Sequence, residues 1–305
     1  MRNLRFNTLL VICVVCMHVC HSCSTCGRRT GADDITVDWA DLVMDSAYVN
    51  IARKVVYALP TPIEMTLLIK NSGIPWRPAL LNDPANVSKY LSSQKMALNF
   101  GVYITNLTYA GLFDQSQTVL RYKLVISQLI ENMGLQSAIN TNTMQLIEQN
   151  INDRDMILRI IADTYASCSS FLDESDRYSM ALAILAGGWV ESMYIATSML
   201  DENLLLNESR IQQLVTDQIL TFDMMWQVMS DSEDLPGVDV LLSNFSGLAE
   251  LFDKIGVHQS ENEVTTSANA NLSEIASVSV IDLTPKDFEN IKIQIQILRE
   301  TFTQI

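Results

Sequence analysis

Glu191 stands in the middle of Ser179–Leu200, the most apolar stretch of the chain beyond its first thirty residues. A carboxylate in such surroundings needs a partner or a raised pKa, the conditions under which an acid does chemistry or holds a ligand. It could instead face solvent, two residues from Trp189. A second set of polar residues lies upstream. Asn99, Tyr103 and Asn106 recur at spacings of four and three, so one helix face carries them, with Tyr90, Gln115 and Gln117 nearby. Phenols and amides in this arrangement suit a small, neutral, polar ligand such as a sugar or peptide. They suit hydrogen bonding between packed helices equally well. The ligand-binding candidates are therefore Asn99, Tyr103, Asn106 and Glu191.

Catalytic motifs are missing. Two of the three histidines, His18 and His21, fall in the first thirty residues, which leaves His258 in a polar stretch. The sequence has no G-x-S-x-G elbow, no H-E-x-x-H, no Glu-x-x-His pair and no glycine-rich phosphate loop. Asp231, Glu233, Asp234 and Asp239 cluster around Gly237, but not in the alternating order of a calcium loop. Cys168, among small residues, reads as a packed thiol rather than a nucleophile. The expectation is no catalytic residue, no metal and no cofactor. With 35 acidic residues, a pair of carboxylates for glycan hydrolysis stays open as an alternative.

These side chains need helices to position them. The chain has 305 residues, of which 48% are apolar and 18% charged, the composition of a folded protein. Sustained period-two alternation is absent before about residue 275, and helical spacing dominates. Helices are expected near 36–58, 62–71, 86–112, 114–133, 141–151, 153–173, 176–201, 207–230, 238–255 and 284–304. Thr61-Pro62-Ile63-Glu64 and Thr284-Pro285 are helix starts. Breaks fall at Pro75 and Pro78, at Gly134 and at Asp234-Leu235-Pro236-Gly237. Phe288, Ile291, Ile295, Leu298, Phe302 and Ile305 form a heptad-like stripe that suits a helix docked on the core or a partner. Ser179–Leu200 reads as a buried central helix, because Glu191 would be costly in lipid. The expected fold is all-α, an array or bundle of antiparallel helix pairs.

The N-terminus reads as an address. Arg2 and Arg5 precede an apolar run too short to span a membrane comfortably. Five of the six cysteines cluster at Cys13, Cys16, Cys20, Cys23 and Cys26. This describes a lipoprotein signal at residues 1–22 with Cys23, behind the small Ser22, as the acylated residue; Cys20 and Cys26 are the other possible acceptors. A polar tether follows at 23–36, then a helical domain at 37–257, a polar loop at 258–283 and an amphipathic helix at 284–305. A multiply acylated, for example palmitate-bearing, cysteine would hold the chain on a membrane. The net charge of −15 argues against nucleic-acid partners.

Gly101-Val102-Tyr103 and Gly187-Gly188-Trp189 echo one another at an offset of about 86 residues, as Ile126–Ile130 and Ile211–Val215 do at nearly the same offset. An internal duplication or chance similarity between amphipathic helices accounts for this equally well. Three stretches then stand together: Tyr57–Glu64, Gln94–Tyr103 and Ala186–Glu191. In combination they resemble a family of uncharacterised, all-helical lipoproteins of the Bacteroidota, over roughly residues 50–230. The resemblance implies a helical domain in the cell envelope and brings no activity with it. The function expected is a lipid-anchored envelope protein, held on the outer membrane, that acts as a non-enzymatic binding or accessory subunit beside an envelope partner. A carboxylate-based hydrolase acting on glycans is the alternative.

Overall fold

Two glycines explain the centre of the fold. Helix α1 (Ser93–Leu112) and helix α5 (Tyr178–Met199) cross so closely that a Cβ on Gly101 would lie 2.1 Å from the Ile184 carbonyl oxygen, and one on Gly187 would lie 1.9 Å from that of Leu98. Only hydrogen fits at either position. The contact is reciprocal: Leu98 and Ile184 are separated by the same 86 residues as Gly101 and Gly187. Further along, Thr105 Oγ1 donates to the Gly188 carbonyl at 3.2 Å, and the Tyr109 hydroxyl reaches Met199 Sδ at 3.4 Å. Contacts advance along both helices together, so α1 and α5 run parallel.

The structure is a computed structural model. It describes residues 70, 75–139, 143–175, 177–200, 209–255, 258–259, 263–266, 273–276, 279–280 and 283–304, all within one compact unit, Met44–Ile305. The expected signal segment and tether, Cys23, the helix expected at 36–58 and the expected Thr61-Pro62 start lie outside the described residues.

The described fold is all-α. Turns of 3-10 helix at Pro78–Leu80 and Pro84–Lys89 lead into α1. There follow α2 (Ser116–Asn132), α3 (Thr143–Gln149), α4 (Arg154–Glu174), α5, α6 (Ser209–Ser230), α7 (Val238–Ile255) and α8 (Pro285–Thr303). Helix α1 starts later than the expected residue 86 because Tyr90 and Ser92 are extended; Ser92 then caps α1 by accepting from the Lys95 amide at 3.2 Å. The chain turns back from α1 into α2 within Phe113–Gln115. Asp114 sits there with φ 56°, and Gln115 N donates to the Ala110 carbonyl. Helix α2 ends the same way at Gly134, φ 66°.

The expected antiparallel pairing does not describe the central pair, which is parallel. A short turn forces neighbouring helices to reverse; α5 is reached only after the excursion through α2, α3 and α4, so that constraint is lifted. Between α7 and α8, within the stretch read as a polar loop, the backbone pairs as two short antiparallel ladders. Strand β1 (His258–Gln259) lies on β4 (Ser279–Val280), and β2 (Glu263–Thr266) lies on β3 (Ser273–Ala276).

Helix α5 is long and apolar enough to cross a membrane by composition, with mean hydropathy 1.3 over an 18-residue window. That window is 78% buried inside the protein, packed by α1, α4, α7 and α8. Its aromatic neighbours continue the core: Trp189 lies 5.5 Å from Phe222 of α6, and Phe245 of α7 lies 5.8 Å from Phe302 of α8, ring centre to ring centre.

Candidate functional site

Helix α8 is opened by a capping box. Thr284 Oγ1 accepts from Asp287 N, and Asp287 Oδ2 accepts from Thr284 N, both at 3.2 Å. Its stripe of Phe288, Ile291, Ile295, Leu298 and Phe302 is buried against α5 and α7. That docking sets Arg299, one residue past Leu298, against the middle of α5.

There it meets Glu191, which is fully buried. Arg299 Nε donates to Glu191 Oε2 at 2.9 Å, and Nη2 donates to Oε1 at 3.3 Å and to the Leu80 carbonyl at 3.1 Å. Asn106 Nδ2 donates to Oε1 at 2.5 Å. The guanidinium carbon also lies 4.3 Å from the centre of the Tyr194 ring. Burial works against the charge on Arg299, but the facing Glu191 carboxylate outweighs it and leaves the Arg299 pKa above its ordinary value. Such a pair is a charge-assisted, forked contact. Its partners supply the hydrogen bonds that make burial of the two charges tolerable.

The other candidates extend this network. Asn106 Oδ1 accepts from Asn82 N at 2.9 Å. The Asn82 side chain donates to Tyr90 Oη at 3.0 Å and to Asn99 Oδ1 at 3.3 Å, and its carbonyl accepts from Tyr122 Oη at 2.7 Å. Tyr103 Oη donates to the Asp83 carbonyl at 2.9 Å. Tyr103 and Tyr122 thus hold the segment around Asn82 and Asp83 onto α1 and α2, Tyr90 binds it from the end of the 3-10 turn, and burial raises the pKa of all three.

The last turn of α8 is held by the same face. A helix ends with carbonyls that have no partner inside the helix. Lys95 Nζ donates to the carbonyls of Thr301 at 2.7 Å and Gln304 at 3.1 Å. Asn99 Nδ2 donates to that of Phe302 at 3.0 Å, and Tyr90 Oη to that of Thr303 at 3.2 Å. A lysine at this end also complements the helix dipole, and burial lowers its pKa.

The structure therefore brings Asn99, Asn106 and Glu191 into one buried network and sets Tyr103 beside it. All four side chains are fully buried, with their polar atoms turned to protein partners. Gln115 stands apart at the α1–α2 turn, its amide donating to Phe113 O at 2.9 Å. Sequence reasoning missed Asn82, Lys95 and Arg299. Arg299 had a signal: a buried acid on α5 demands a cation, and Arg299 abuts an apolar stripe. Cys168 is buried, which pushes its thiol pKa up to about 12. Among the described residues no group of three His, Cys, Asp or Glu side chains is placed to hold a metal ion. No family model, curated protein or solved structure matches the chain.

Proposed function

We propose that this chain is a lipid-anchored cell-envelope protein, acylated at Cys23 and held on the outer membrane, whose helical domain serves as a non-enzymatic binding or accessory subunit. The observation that carries this reading is the use made of its polar residues. Glu191, Arg299, Asn106, Asn99 and Lys95 serve to fix α8 on α1 and α5, giving a rigid helical body. The outward side of α8 carries Ile293 and Ile297, 46% and 50% exposed, one turn apart. The N-terminal segment with its cysteine cluster supports the anchor, and the resemblance to Bacteroidota lipoproteins supports the compartment. Feeding cells an alkyne fatty acid tests the anchor: the wild-type chain takes the label and Cys23→Ala does not. Undiminished labelling of Cys23→Ala rules this acceptor out.

We further propose that α1 and α5 descend from one duplicated unit. The reciprocal Leu98–Gly187 and Gly101–Ile184 contacts support this, because a duplication of an ancestral pairing helix produces that pattern. The alternative function, a carboxylate-based hydrolase acting on glycans, has one observation in its favour. On the outer side of α6, partial loss of hydration and then the neighbouring Asp253 raise the pKa of the exposed Asp223 carboxyl, the direction of shift a general acid uses. Glycan cleavage abolished by Asp223→Asn would establish it.

A further inference from the structure

One end of the molecule carries a cleft of about 330 Å³ between the first turns of α1 and α5 and the turn that opens α7. Its walls include Ser93 and Gln94 of α1, Arg177 and Met180 at the start of α5, and Leu235. Ser179 lines it as well, 86 residues after Ser93, so hydroxyls at matching positions of α1 and α5 border one space.

Among the described residues, Arg177 is the only charged side chain in this lining. It is half-buried. Its Nη2 donates to the Met133 carbonyl at 2.6 Å and lies 3.3 Å from Met180 Sδ. No carboxylate whose side chain is described pairs with it; Asp173, Glu174 and Asp176, just before it in sequence, have side chains outside the described ones. The carbonyl anchor fixes one amino group of the guanidinium. A guanidinium held in place loses little freedom when it binds and presents a fork matched to a carboxylate. Met180 and Leu235 give the same cleft an apolar side. Pockets that bind small molecules are mostly apolar with a few fixed polar groups, and begin near ~300 Å³.

We propose that this cleft binds a carboxylate on a short aliphatic body, the carboxylate on Arg177 and the aliphatic part against Met180 and Leu235. This rests on the binding-subunit reading and names its ligand chemistry. The source is either a free short-chain acid or the carboxyl end of a peptide.

Calorimetric titration of the full chain with hexanoate tests it, using 1-hexanol, inorganic phosphate, the tripeptide Ala-Leu-Leu and its C-terminal amide as comparisons. The expected result is saturable hexanoate binding that falls at least tenfold in Arg177→Gln and is absent for 1-hexanol. Tighter binding of Ala-Leu-Leu than of hexanoate, lost on amidation, assigns the source to a peptide end; the reverse order assigns it to a free acid. Because Arg177 also bonds Met133, a second variant is needed. Ser93→Trp, at the exposed rim, blocks the cleft without touching that bond and abolishes binding at an unchanged melting temperature. Hexanoate that does not saturate, binding untouched by both variants, or phosphate binding as tightly as hexanoate overturns the proposal. Fatty-acid labelling and partner capture are separate from this titration, so failure of the cleft leaves the binding-subunit reading standing.

Discussion

Both carboxylate oxygens of Glu191 are engaged, and that decides what its replacement should cost. Glu191→Gln keeps the shape and removes the charge, so Arg299 is left buried without its counter-ion. Breaking a buried pair from one side costs about 3–5 kcal/mol. Arg299 keeps 15% exposure of its side chain, so a loss near ~3 kcal/mol is expected in urea unfolding. Replacing both partners by methionine should recover much of it. Additive losses would show that the two charges do not depend on each other. Asp223 offers a test with a sign. Its folded pKa is raised, through loss of hydration and then Asp253, so the stability it contributes is present in acid and is lost as pH rises through that pKa. Asp223→Asn should therefore raise the melting temperature at pH 7 and leave it unchanged at pH 3; a gain at both would refute the assignment. Cys168, with its thiol pushed up to about 12 by burial, should resist a thiol reagent in the native protein and react on unfolding.

At the scale of elements, helix boundaries were legible wherever local chemistry set them. Gly134, Pro236-Gly237 and Thr284-Pro285 punctuate the chain in the structure as they do in the sequence. The stripe from Phe288 to Phe302 was legible because one-sided burial imposes its spacing. The start of α1 was not, since the 3-10 turn at Pro84–Lys89 carries helical composition without helical continuity. The parallel course of α5 was hidden for another reason: it depends on packing between residues about 86 apart, and Gly101 and Gly187 look like weak helix positions until they meet. This contact yields a contrast. Gly187→Ala places a methyl 1.9 Å from the Leu98 carbonyl oxygen, and backbone cannot move aside cheaply, so a loss of about 3 kcal/mol is expected. Gly111→Ala meets only the Ile157 side chain at 3.4 Å and should be neutral or stabilising by up to ~1 kcal/mol, the helix propensity difference. Equal effects in thermal unfolding would contradict the close crossing.

For the whole molecule, the candidate site was legible in part. Glu191 and the Asn99–Tyr103–Asn106 face announced themselves as polar residues in apolar helices, and the structure brings Asn99, Asn106 and Glu191 together with Arg299. What the sequence left open was whether those groups look outward to a ligand or inward to the chain. That depends on Arg299, 108 residues from Glu191, and on the end of α8, whose carbonyls use up Lys95, Asn99 and Tyr90. Those residues are committed to the interior, so the role proposed for the chain, an accessory subunit of the cell envelope, has to use its surface. Quantitative crosslinking of wild-type protein in intact cells, followed by capture and measurement of stoichiometry, tests this most directly. The account predicts one envelope partner in fixed ratio, lost from the membrane fraction together with the chain when Cys23 is changed to alanine. Capture of the chain alone, fully crosslinked yet without a partner, would contradict it.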